Sequence, residues 1–409
     1  YFSSGVAMNL VLAAVLGVAI LITSRLLQWV GGSDLVIVQV IVQYDVAIAT
    51  LLVGATALKT VLAGLEGQKL VAHSGGVKAL DRVLRTAVQV ALVAVGFGVA
   101  AITLGHAIVL VLASVIGLYV ASIRLSLPSR EHLASLFEYA KYAWVGALRG
   151  RVYGWMDTLM LGIFLTGTAG ATLLGVYEVA WGIGSLLATL SASISSTLFP
   201  EMSELSSDEN YPRVAHFLDE ALAFSGVIVI PGLVGAAVLG ERVLAFYRPE
   251  YVQGHLVLVI LIAAYVADVY ASQLLNAVNA VDRPDASMRV NAAFVATNVV
   301  LNVVLIWQLS WIGAAIATAA SAGVRLVGGS IVLSRILEDA TVPVRVIGGQ
   351  FAAAAVMGLL VLAVDPMVPH GRLWTLVLVT GGAAVYFASV LAISGRIRSK
   401  TWSLLPSRV

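Results

Sequence analysis

Ionisable side chains stand where an apolar chain should carry none. Arg149, Arg151 and Asp157 lie in one span-length apolar stretch and Glu178 in the next, with Lys141 near the start of the first. Asp45 and Lys59 fall in an earlier stretch, and Asp268 and Arg325 in later ones. Inserting such a group into lipid costs about 2.5–3.5 kcal/mol on insertion scales, so these groups face a protein interior or a wet cavity. Arg suits anion capture there, because its planar fork binds phosphate bidentately and it stays charged when desolvated. The carboxylates are candidates for ion coupling, by H⁺ or Na⁺. Asn276 follows Asp268 on the same span, and Asn291, Asn298 and Asn302 share one helical face, a pattern expected of a wet wall. The competing reading is structural: Lys141 snorkels, one Arg pairs with Asp157 or Glu178, and the polar groups only hold helices together.

These residues need spans to position them. The chain has 409 residues, 60% hydrophobic and 11% charged, with a mean hydropathy of +0.98. Soluble domains carry about 25% charged residues, so the composition is that of a polytopic membrane protein. Twelve segments reach the roughly 20 apolar residues that a span needs. They lie at 3–24, 36–64, 86–104, 106–123, 137–165, 170–199, 217–240, 254–280, 290–308, 311–334, 346–364 and 373–394. Very short joints at 31–33, Gly105 and Ser310 force antiparallel neighbours, an up-and-down all-α bundle. Thr166–Ala171 reads as a tight turn, and Pro200 as the end of the sixth span. Segment 65–85 reads as a surface amphipathic helix that meets membrane lipids, 200–216 as an acidic solvated loop, and 125–132 as a linker between two lobes.

Fifteen Lys and Arg fall in the loops of one side, and three, Arg242, Arg248 and Arg372, in those of the other. The basic side is expected to be cytoplasmic, with the C-terminus there. The chain begins on Tyr1, from which a missing N-terminal piece rather than a signal peptide is expected. With no cysteine, disulfides, thiol catalysis and thiolate metal sites are excluded. No nucleotide-binding loop, HExxH or GxSxG motif is present, and the six His are scattered singly, so neither enzyme nor metal site is expected. Neither a cofactor nor a nucleic-acid partner is expected.

The pattern DTLMLGIFLTGTAGATLLGVYEVAW…SSTLFPEMSEL from Asp157, with Gly175, Tyr177, Ala180 and Leu198–Pro200, resembles the polysaccharide-export (O-antigen-type) flippases of the multidrug/oligosaccharidyl-lipid/polysaccharide exporter superfamily. NAVNAVDRPDASMRVNAAFVATNVVLNVVLI and WIGAAIATAAS resemble later segments of that family. The resemblance implies fourteen helices, of which the first two are absent here. It also implies two pseudo-symmetric lobes around a central cavity: an N-lobe at 1–127, a C-lobe at 137–337, two additional helices at 343–396 and a cytoplasmic tail at 397–409. The implied activity is alternating-access flipping of a polyprenyl-linked oligosaccharide across the plasma membrane. Arg149, Arg151, Lys59 and Arg325 match as phosphate ligands, and a glycan polymerase or transferase is a further partner. A multidrug cation antiporter of the same superfamily, or a membrane scaffold for glycan assembly, are the competing functions.

Overall fold

A computed structural model describes residues 2–29, 34–68, 70–98, 100–121, 130–134, 155–337 and 341–403. Long uncharged runs rich in Ala, Val and Leu dictate the architecture, because lipid offers backbone amides and carbonyls no partner and a helix satisfies them internally. All regular elements among the described residues are helical, and nine of them are long and apolar enough to cross a membrane. Twelve spans were expected. The difference arises because the expected ninth and tenth spans are counted together on either side of the turn at Ser310, because 86–104 is not a span-length apolar helix, and because most of the expected fifth span lies outside the described residues.

The chain divides into two compact units, Tyr1–Gly154 and Trp155–Val409. The first contains α1 (Phe2–Trp29), α2 (Val36–Gly67), α3 (Val71–Ala94) and α4 (Ala100–Ala121). Helix α2 packs on α1 and α4, and α3 pairs with α4. Leu58, Leu62, Leu65, Val77, Leu110 and Ala113 form the core between α2, α3 and α4. Two expectations fail here. The expected surface helix 65–85 and the span 86–104 are not separate, since α3 runs unbroken through Thr86. Its charges are tied off locally, Arg85 to Asp81 one turn back and Lys78 to Glu66 of α2. Nor does the chain turn at Gly105, which lies inside α4 against Gln89. The break comes earlier, where Gly96 and Gly98 both take positive φ, a conformation that glycine alone adopts freely.

The second unit begins with α5 (Trp155–Phe164). It continues through α6 (Gly167–Ser207), α7 (Tyr211–Tyr247), α8 (His255–Ala280) and α9 (Pro284–Ser334), followed by α10 (Val344–Val364), α11 (Arg372–Ile393) and α12 (Gly395–Ser403). Helix α8 packs against α6, α7 and α9, with Leu258, Leu261 and Ile262 fully buried. Pro200 does not end α6. It withholds one backbone donor, yet the helix continues to Ser207, a length of about 60 Å at 1.5 Å per residue. The expected acidic loop 200–216 therefore shrinks to Asp208–Asn210, where the Asn210 side chain accepts the Arg213 N–H at the start of α7.

The expected joint at Ser310 exists as a sharp reversal inside α9, with φ 54 and ψ −139. A Cβ on Gly313 would lie 2.0 Å from the Leu305 carbonyl oxygen and 2.3 Å from its carbon. Both are backbone atoms that cannot step aside. Gly313→Ala is therefore expected to lower stability by about 3 kcal/mol, the upper range for overpacking. Thermal melting in detergent reads this, and an unchanged midpoint would refute the tight reversal.

Helices α10 to α12 are fastened along α7. At one end the Arg242 guanidinium lies 2.6 Å from Asp365 and donates to the carbonyls of Asp365, Val368 and Pro369 at 2.9–3.0 Å. One turn from the far end, Gln350 donates to the Ala223 carbonyl at 2.6 Å. At the far end Arg396 pairs with Asp219, and Lys400 meets Glu220 at 2.9 Å.

Candidate functional site

Two polar constellations interrupt the apolar second unit. The first surrounds Arg325. Its Nε donates to Asn291 Oδ1 at 3.1 Å, and Nη1 donates to Ser272 Oγ at 3.0 Å and to Asp268. Asp268, Ser272 and Asn276 recur at four-residue intervals on α8 and so share one face. With Ser191, Ser195, Ser196 and Phe199 of α6 they line a recess of about 480 Å³ into which Arg325 projects. The guanidinium is oriented by three neutral or acidic oxygens, which leaves its second terminal nitrogen, Nη2, without a partner among the described residues. Asn276 also lines the recess.

The second constellation is buried. Asp157 on α5 accepts from the Tyr177 hydroxyl at 2.7 Å, from Asn302 Nδ2 at 2.9 Å and from the Thr318 hydroxyl. Asn298 donates to Thr318 at 3.4 Å, while Asn302 Nδ2 also reaches Asn298 Oδ1 at 3.1 Å. All the donors to this carboxylate are neutral among the described residues, and Asn302 Oδ1 has no hydrogen-bond partner. The face expected to be a wet wall is thus divided. Asn291 serves Arg325, whereas Asn298 and Asn302 are packed away around Asp157.

The remaining candidates are placed separately. Arg149 and Arg151 lie outside the described residues, as does Lys141. Lys59 is exposed on α2, between buried Leu58 and Thr60. Asp45 is buried at a kink in α2 centred on Tyr44. There its Oδ1 accepts the Val46 N–H at 2.6 Å, and Oδ2 accepts the Ser24 hydroxyl at 2.9 Å. Its carboxylate thus serves an N–H at the kink and ties α2 to α1 through Ser24. Glu178 is exposed on α6 and accepts the Thr158 hydroxyl. Sequence reasoning missed Ser272 and Thr318. Each carries a hydroxyl common in spans, and only the packing of distant helices singles them out.

Comparison with known proteins decides the lineage. Residues 1–248 match the family described as polysaccharide biosynthesis protein. The chain belongs to that family. The family's curated relatives include the probable flippase AglR of Haloferax volcanii, 34% identical over 360 residues, which are 86% of this chain and 74% of that protein. A second, the probable low-salt glycan biosynthesis flippase Agl15 of the same organism, is 31% identical over 212 residues, or 52% of this chain and 44% of its own. Among solved structures the fold matches a lipid II flippase, MurJ, in an inward closed conformation, with a TM-score of 0.70 at 13% identity over 96% of this chain and 83% of that one. It also matches a eukaryotic MATE transporter, AtDTX14, at 0.55 and 16% identity over 81% and 77%. Those likenesses show a shared fold. Family and helices together make this a multi-pass membrane protein, whose curated relatives are described as flippases rather than enzymes.

Proposed function

We propose that this protein is a flippase that carries a polyprenyl phosphate- or pyrophosphate-linked oligosaccharide across the plasma membrane. The observation that carries the reading is the Arg325 recess, a hydrogen-bonded cation opening onto a polar face in an otherwise apolar unit. Relatives described as flippases of glycan biosynthesis support it. The obstacle is moving phosphate and glycan through about 30 Å of hydrocarbon while the polyprenyl tail stays in lipid. Arg325 offers the phosphate the Nη2 amino group, held in place by the bonds to Nε and Nη1, with Arg149, Arg151 and Lys59 as further cationic ligands. Residues 1–127 and 137–337 act as the two lobes of an alternating-access cycle, with 343–396 appended and the 397–409 tail in the cytoplasm.

The Asp157 cluster is the coupling site in this reading. One buried carboxylate with Asn298, Asn302 and Thr318 around it matches the all-oxygen preference of a hard monovalent cation or a single proton. A bound cation would supply the countercharge that the neutral donors do not. The unpartnered Asn302 Oδ1 beside the carboxylate fits that role.

The test is reconstitution into liposomes with a fluorescent short-chain polyprenyl phosphate sugar, scoring protein-dependent loss of the outer-leaflet probe. Transfer that needs the protein and survives removal of drug substrates supports the flippase. Absence of transfer by folded protein would sink it, and cation-drug exchange instead would favour the antiporter.

A further inference from the structure

Above the Arg325 recess the polar face carries an aromatic pair that phosphate capture does not use. Trp181 of α6 and Tyr265 of α8 stand with ring centroids 5.3 Å apart, tilted by 57°. Trp181 lies seven residues before Ala188 and eleven before Ala192, both lining the recess, so it shares their face of α6. Tyr265 lies three residues before Asp268 and seven before Ser272, on the recess face of α8. The axial step from Ser272 to Tyr265 is about 10 Å at 1.5 Å per residue.

The pair is held in place rather than packed at random. A Cβ on Gly184 would lie 2.5 Å from Tyr265 Cδ2, so the bare backbone of α6 is what lets the tyrosine ring lie against it. The tyrosine hydroxyl then sits beside Ser185. Both rings remain half-buried. Glu178, one turn before Trp181, is exposed, and Asp268 stands one turn beyond Tyr265.

Half-buried aromatic faces flanked by carboxylate acceptors match one ligand chemistry well. A pyranose presents a C–H face to the ring and hydroxyl donors at its edge. An anionic sugar would instead meet the like charge of the exposed Glu178, which is destabilising. We infer that Trp181 and Tyr265, bracketed by Glu178 and Asp268, form a subsite for a neutral, hydroxyl-rich sugar ring attached to the phosphate that Arg325 engages. This rests on the flippase reading and adds to it a sugar class and the residues that select it.

The experiment uses the full chain in lipid nanodiscs and three probes: farnesyl phosphate, the same lipid phosphate bearing one glucose, and the same bearing one glucuronate. Isothermal titration is expected to rank the glucosyl probe tightest. Trp181→Ala is expected to weaken the glucosyl probe about tenfold, the scale of a lost aromatic contact, while leaving bare farnesyl phosphate unchanged. Trp181→Phe should restore most of the loss, and Glu178→Gln should raise glucuronyl affinity severalfold. Should Trp181→Ala fold poorly, the Glu178→Gln arm carries the test by itself. Equal losses for bare and glucosyl probes, no loss for either, or no gain in glucuronyl affinity on Glu178→Gln would overturn the subsite and leave the flippase standing. If the wild type binds none of the three, the flippase reading falls and takes the subsite with it.

Discussion

Arg325→Ala is expected to cut liposomal transfer about a hundredfold, through loss of roughly 3 kcal/mol of charged hydrogen bonding to the phosphate. The same change removes the Arg325–Asp268 ion pair, so a fall in activity alone would not separate substrate binding from helix packing. The double replacement Arg325→Gln with Asp268→Asn makes that separation. Exchanging a buried ion pair for neutral groups of similar volume is often harmless to stability, and Asn291 and Ser272 remain as partners for the new amide. The double variant is therefore expected to melt near the wild type and to transfer as poorly as Arg325→Ala. Recovery of transfer in that variant would make the pair a tie between α8 and α9 and remove Arg325 from the phosphate site.

The second large effect concerns Asp157. Asp157→Ala takes the acceptor from the Tyr177 and Thr318 hydroxyls and the Asn302 amide in one step. Each orphaned buried donor costs about 1–3 kcal/mol, so a loss of roughly 3 kcal/mol or more in stability is expected. Asp157→Asn should be much milder. Its oxygen can serve the two hydroxyls, and Asn302 can turn its unpartnered Oδ1 toward the new amide. Asp157→Asn is thus expected to fold but to lose any dependence of transfer on an imposed Na⁺ or proton gradient. A folded Asp157→Asn protein that keeps wild-type gradient dependence would dismiss the coupling role.

Much of the helical frame was legible from hydropathy. Helices α8, α10 and α11 begin and end within two residues of the expected spans, since their apolar runs are bounded by Pro, Gly and charge. Errors arose where local signals compete. The charges of α3 looked like a surface helix because the pairing of Lys78 with Glu66 depends on a neighbouring helix, while Arg85 pairs with Asp81 within α3 itself. Pro200 looked like a terminus because proline usually is one, yet α6 tolerates it. Site residues were legible by type and not by partner. Asp268 and Arg325 stood out as charges in spans, but 57 residues separate them and no periodicity links them. Asp157 was found by its charge, whereas its partners Thr318 and Asn302 lie about 150 residues away and meet it only once α9 has doubled back at Ser310.

The fastening of α10 to α12 along α7 has a practical corollary. Salt links near Asp219 and near Arg242 lie 23 residues apart on one helix, about 35 Å, so the appended hairpin has little freedom to swing alone. A fluorophore or spin label placed on α12, at Ser399, would ride with α7 as a rigid pointer. Conformational cycling could then be timed from the tail, with no reporter placed near the cargo.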